Sequence, residues 1–175
     1  GIVNVLEHAT YADDEAVAMI AGRKDDIFVV PGLGYHWGIL ENGPACGITP
    51  EHLEATEYQE EWELGCIAMD KLRRAGVRVI PGGDYGFVYT PHGTYARDLW
   101  LFVKILGYSP METLVAATKL GGEIMGRPGE LGVVKPGALA DLLLVDGDPL
   151  ADIAILQDRD ALRMIMKDGA LHKSS

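Results

Sequence analysis

The sequence predicts an α/β fold, a parallel sheet with helical crossovers, followed by a small β module. Three observations predict it. Short runs at 2–6, 27–30 and 77–80 are nearly continuous in Val, Ile, Leu and Phe, as strands buried on both faces are. Helical stretches separate those runs, and that alternation is the grammar of a parallel sheet. Beyond about residue 128 the style changes to short runs punctuated by Pro-Gly and Asp-Gly turns.

Ile2 to Leu6 reads as a buried strand that stops at Glu7-His8. Asp13-Asp14-Glu15 places acid where a helix N-terminus favours it, and Val17, Ile20 and Ala21 give that helix an apolar face. Ile27-Phe28-Val29-Val30 is a second strand, closed by Pro31-Gly32 and running on to Tyr35-His36. Residues 41–49, with Gly43, Pro44 and Gly47, read as loop. Pro50 to Ala75 reads as one long helix, with Trp62, Cys66, Met69 and Leu72 near 3–4 spacing and Gly76 as its stop. Val77 to Ile80 is a third strand, followed at once by Pro81-Gly82-Gly83-Asp84-Tyr85-Gly86. Thr94 to Leu106 is helical. Ser109-Pro110-Met111-Glu112 is a capping box with Pro at the first helical position, opening a helix to about Met125 that ends at Gly126. Gly132-Val133-Val134, Asp141 to Val145 and Arg163 to Lys167 read as short strands, with turns at Gly147-Asp148-Pro149 and Asp168-Gly169. The expected division is residues 1–128 for the α/β part and 129–175 for the β module.

Composition narrows the function. A formal net charge of −11 argues against nucleic acid, whose affinity is dominated by phosphate contacts, and against an anionic membrane surface. No apolar run approaches the roughly 20 residues that span a bilayer. Two cysteines, Cys46 and Cys66, are no disulfide framework and match no zinc-ribbon spacing. An acidic cytoplasmic enzyme is the expectation.

Polar residues cluster where the strands end. The first strand ends at Glu7-His8, the second runs to Tyr35-His36, and the third ends at Gly83-Asp84. Imidazole and carboxylate together suit a divalent cation such as zinc. Each residue also has a plainer role open to it. His8 could be a structural hydrogen-bonder, Asp84 a turn residue, His36 a solvated neighbour of Trp37, and His92 in Pro91-His92-Gly93 a loop histidine. His52 reads as a surface residue, and His172, near the terminus, as disordered. The acidic stretch from Glu57 to Glu63 wraps around a helix and reads as a solvated face. Tyr35, Trp37, Tyr85, Phe87 and Tyr89 near the strand ends suggest a pocket for an apolar or aromatic substrate.

Taken together these motifs resemble the amidohydrolase superfamily, in its imidazolonepropionase-like and Xaa-Pro-dipeptidase-like branch. Leu6-Glu7-His8 is similar to the sixth-strand histidine motif. Gly82-Gly83-Asp84 is similar to the eighth-strand Gly-Thr-Asp, with Gly83 in place of Thr. Pro91-His92-Gly93, Ala96-Arg97-Asp98-Leu99 and the Ser109 helix follow the family's order. So do Pro136-Gly137, Ala140-Asp141-Leu142, Gly147-Asp148-Pro149-Leu150 and Lys167-Asp168-Gly169. The resemblance implies a distorted (β/α)8 TIM barrel, of which this chain carries about strands six to eight, with part of a β-sandwich flank. It implies one or two divalent metals, zinc foremost. Asp84 would bind metal and shuttle the proton, and His8 would be a ligand or a substrate contact. Tyr35, His36, Tyr85 and His92 would face the substrate.

The family's first-strand His-x-His, fourth-strand Lys or Glu and fifth-strand His have no counterpart in these residues. Two ligands are too few for a catalytic zinc site. The expectation is therefore an enzyme that hydrolyses a C–N bond of a small-molecule amide, urea, carbamate or peptide. It would act only beside an N-terminal companion region supplying the other ligands, and as a homo-oligomer. A Xaa-Pro dipeptidase and a metal-free scaffold of the same fold are the alternatives.

Overall fold

Ile27-Phe28-Val29-Val30 has four apolar side chains in a row and no polar face to offer water. It accordingly takes the central position of its three-stranded sheet, with a strand on either side. In the computed structural model, which describes residues 4–174, β1 (Asn4–Glu7), β2 (Ile27–Val30) and β3 (Arg78–Val79) form a parallel sheet in that order. Register pairs Glu7 with Val30, and Val29 with both Leu6 and Val79, so all three strands finish at one edge. Ile2 and Val3, the expected start of β1, lie outside the described residues.

Helices α1 (Asp14–Ala21), α2 (Leu33–Asn42), α3 (Pro50–Ala55) and α4 (Tyr58–Arg74) make the crossovers. Asp13 caps α1 by accepting from the Ala16 N–H. The core joins Ile27, Val29, Leu33, Met69, Leu72 and Phe102, with Val29 and Leu72 fully buried. Helices α5 (Arg97–Lys104), α6 (Pro110–Ala117) and α7 (Lys119–Ile124) follow. The tail forms an antiparallel sheet of β4 (Leu142–Val145), β5 (Leu162–Lys167) and β6 (Ala170–Ser174), so His172 is not in a disordered end but exposed on a strand held by β5.

Four expectations are corrected. Tyr35 and His36 are not on a strand extension. Gly32 takes φ +66 and the chain enters α2 at the next residue, so both are helical. That helix was masked by Gly34 and Gly38, poor helix formers. The long helix from 50 to 75 is two, broken at Glu57 with φ 49, where Thr56 turns its hydroxyl back onto the His52 carbonyl at 2.8 Å. The Ser109 helix likewise breaks at Thr118, whose hydroxyl donates to the Leu114 carbonyl at 2.6 Å. Gly132-Val133-Val134 is no strand: Gly132 has φ +70 and Val134 is 88% exposed. Cys46 and Cys66 are free thiols, and burial pushes the Cys66 thiol up to about 11, so it stays protonated. Among the described residues no helix is long and apolar enough to cross a membrane.

Candidate active site

The strand ends build the site. After β1 the chain turns sharply, with His8 at φ 69 and Ala9 at φ 52, a conformation that costs side-chain-bearing residues energy. The His8 N–H donates to the Val30 carbonyl at 2.7 Å, which pins the turn to β2. The imidazole then lies over Gly32, where a Cβ would stand 2.5 Å from His8 Nδ1. Beyond β3, Gly82 is similarly tight: a Cβ there would stand 2.5 Å from Val30 Cγ1. This close seat delivers Asp84 to the same edge. Its carbonyl accepts from the Thr90 hydroxyl at 3.0 Å.

His8 Nε2 and Asp84 Oδ2 consequently stand 3.6 Å apart, with both side chains about half exposed. That is too long for a hydrogen bond. It fits two donors to one ion, since ligands about 2.0–2.2 Å from a tetrahedral zinc stand roughly 3.4 Å from each other. Imidazole and carboxylate are also the right chemistry for such an ion. Among the described residues no group of three or more His, Cys, Asp or Glu side chains is placed to hold a metal. His8 and Asp84 are thus a pair of neighbouring donor side chains at the strand ends.

Asp84 is the wall between two cavities. The smaller, about 630 Å³, holds His8, Tyr35, His36, Tyr11, Glu61 and Asp84. His36 is buried rather than solvated, with Nε2 3.1 Å from Glu61 Oε2. Tyr11 donates its hydroxyl to Glu61 Oε1 at 2.9 Å. Tyr35 packs edge-on against Phe87, Tyr89 and Tyr58, and burial raises its hydroxyl above the ordinary tyrosine range. Sequence reasoning placed Glu61 on a solvated face. A signal was available: Glu61 lies four residues before Gly65 and so extends the buried face of α4 made by Gly65, Ala68, Met69 and Leu72.

The larger cavity, about 1430 Å³, holds Asp84, Tyr85, His92, Arg97, Arg159 and Lys173. His92 Nδ1 lies 2.9 Å from the Tyr95 hydroxyl, and the Tyr85 and Tyr95 rings meet edge-on. Trp37 lines neither cavity. It packs on Trp100 with the Arg97 guanidinium over its ring. At the back, Asp98 is 5% exposed, and burial pushes its carboxyl up to about 6 against the opposing pull of the Tyr85 hydroxyl and Arg97.

The chain is similar to known proteins along nearly its whole length. Residues 1–171 match the profile of the amidohydrolase family. The ochratoxinase of Aspergillus niger is 27% identical over 176 residues, covering 96% of this chain and 33% of that enzyme. Its crystal structure superposes with a TM-score of 0.81, over 98% of this chain and 37% of that one. The imidazolonepropionase of Rubrobacter xylanophilus is 39% identical over 104 residues, which is 57% of this chain and 24% of the relative. A prolidase solved in complex with N-methylphosphonate-L-proline is 28% identical with a TM-score of 0.82, over 98% of this chain and 40% of that one. The chain thus spans about a third of the length of the ochratoxinase it matches.

Proposed function

The chain belongs to the amidohydrolase family, and we propose that it supplies one part of an active site that hydrolyses a C–N bond in a small amide, carbamate, urea or peptide. The observation that carries this is the 3.6 Å approach of His8 and Asp84, from the ends of separate strands. The matched relatives include enzymes named ochratoxinase and N-substituted formamide deformylase, which support the bond class. In this reading the three parallel strands are about the last three of a (β/α)8 barrel. The remaining ligands come from protein outside these residues, and turnover requires that companion region.

His8 and Asp84 would hold a divalent cation, with zinc favoured by the donor types. The chemistry such an ion supplies when bound is Lewis acidity, acidifying water and polarising a carbonyl. Asp84 takes the proton from the attacking water. As the C–N bond breaks, Asp84 returns that proton to the nitrogen, so the amine leaves neutral and the carboxyl side keeps the water oxygen. Tyr35, His36, Tyr85 and His92 border the substrate on the two sides of Asp84. Full-length protein carrying Asp84→Asn should lose turnover by roughly 10²–10⁴-fold across a panel of amides, carbamates, ureas and dipeptides. Undiminished kcat in that variant would discard the mechanism.

A peptide-type substrate has separate support. The smaller cavity carries the carboxylates of Glu7, Glu61 and Asp84 and, among the described residues, no Lys or Arg. The larger one carries Arg97, Arg159 and Lys173 against two carboxylates, Asp84 at its border and the buried Asp98 at its back. A dipeptide has an ammonium and a carboxylate on opposite sides of its scissile bond and matches that polarity. Arg159→Ala should raise KM for dipeptides while leaving neutral carbamates little affected. Equal effects on both substrate classes would remove this second reading.

A further inference from the structure

We propose that Asp98 is a positioning residue: its buried carboxylate is the seat on which the turn from Gly83 to Tyr85 rests, and through that turn it sets Asp84 over the strand ends. The inference rests on the reading of Asp84 as the proton-transferring carboxylate.

The geometry converges on one side chain from both flanks of Asp84. On one flank, a Cβ on Gly83 would stand 3.2 Å from Asp98 Oδ2 and 3.1 Å from Tyr85 Cε2. On the other, Tyr85 folds its hydroxyl back into the same space, and Arg97 and Tyr95 close the surroundings. From α2, Gly34 leaves room in the same way: a Cβ there would stand 2.5 Å from Asp98 Oδ1 and 3.3 Å from Tyr85 Oη. Two glycines therefore give up their side chains to admit one carboxylate and one phenol.

That carboxylate is costly to keep. Among the described residues Asp98 has no ion pair, and Asp98 Oδ1 and Tyr85 Oη are both buried without a hydrogen-bond partner. The Tyr85 hydroxyl beside Asp98 opposes the upward push of burial on the carboxyl without cancelling it. The neighbouring Arg97 turns instead to the Trp37 ring. A buried acid so poorly compensated works against stability. Departures of this kind from good packing chemistry concentrate where a fold serves a reaction. Asp98 lies behind Gly83 and Tyr85 at the back of the larger cavity, so its effect reaches the chemistry through the turn that carries Asp84.

The test is steady-state kinetics and thermal melting on full-length protein with its metal. Asp98→Asn keeps the shape and removes the charge. The expected result is a kcat lowered about tenfold to a hundredfold, KM within about twofold, and a Tm at pH 7.5 equal to wild type or higher. A stability loss with unchanged kcat, or a wild-type kcat at any Tm, overturns the proposal. Gly83→Ala crowds the same contact and gives a second reading should Asp98→Asn yield no folded protein. It should lower kcat in the wild-type background and cost less in Asp98→Ala, where the crowding is relieved. Equal cost in both backgrounds overturns the proposal. Asp84→Asn run alongside separates the two failures. If it retains turnover, the catalytic reading is wrong; if it is dead while Asp98→Asn is fully active, only the seat is wrong.

Discussion

Asp98 makes a prediction about stability apart from catalysis. An ordinary aspartate gives up its proton near pH 4, whereas Asp98 keeps its proton up to about 6. Between those values the folded chain binds more protons than the unfolded one, so stability falls as pH rises across that window. The contribution is complete below the lower value, gone above the upper, and on the order of 3 kcal/mol. Wild type should melt higher at pH 4.5 than at pH 7 once other carboxylates are allowed for by comparison with Asp98→Asn, which should flatten that part of the profile. A profile identical in the two proteins refutes it. His8 carries a different local cost. At φ 69 it is held by the Val30 carbonyl and by the bare Gly32 beneath its ring. Gly32→Ala should displace the imidazole and abolish turnover, since Gly32 also has φ +66.

Secondary-structure elements show what a sequence reveals about itself. β2 was legible because four consecutive apolar residues have only one use in a sheet with crossovers. The capping box was legible because its chemistry is local: the Ser109 hydroxyl accepts from the Glu112 N–H at 3.2 Å, and Glu112 Oε2 accepts from the Ser109 N–H at 2.7 Å. Ser109→Ala should therefore cost about 1 kcal/mol, seen as a shift in denaturant midpoint with an unchanged slope. Helix α2 was illegible because its glycines answer to distant neighbours, Asp98 for Gly34 and the Thr90 methyl for Gly38. Glu61 was misread because its role depends on which face of α4 meets His36. His8 and Asp84 were legible as strand-end polar residues, but their separation depends on the register of β1, β2 and β3. Gly132 belongs to the distant-neighbour class: its Cβ would collide with the Thr118 carbonyl, and its φ is +70. Gly132→Ala should cost about 1–3 kcal/mol and loosen the break between α6 and α7, checked by amide exchange there.

At the scale of the molecule, two sheets of opposite character share one chain, parallel for β1 to β3 and antiparallel for β4 to β6. The parallel sheet sets the position of the two donors, and the antiparallel one brings Lys173 toward the larger cavity. On the proposed reading, His8 and Asp84 alone would make a weak metal site. The chain by itself should take up zinc far less tightly than the chain joined to its proposed companion region, and His8→Ala should remove what binding it has, both read by calorimetric titration. Tight stoichiometric binding by the chain alone would point to a donor beyond His8 and Asp84.

Asp84 divides the mouth into two chambers of unequal size. If Asp84 is the proton-transferring carboxylate proposed above, a substrate that fills both must pass over it with its scissile bond at that partition. Reach on either side of the cleaved bond then governs selection more than bulk: a short arm belongs in the tighter chamber and a long or aromatic arm in the roomier one. An inhibitor built with its arms exchanged should bind worse than its mirror arrangement, although the two contain the same groups.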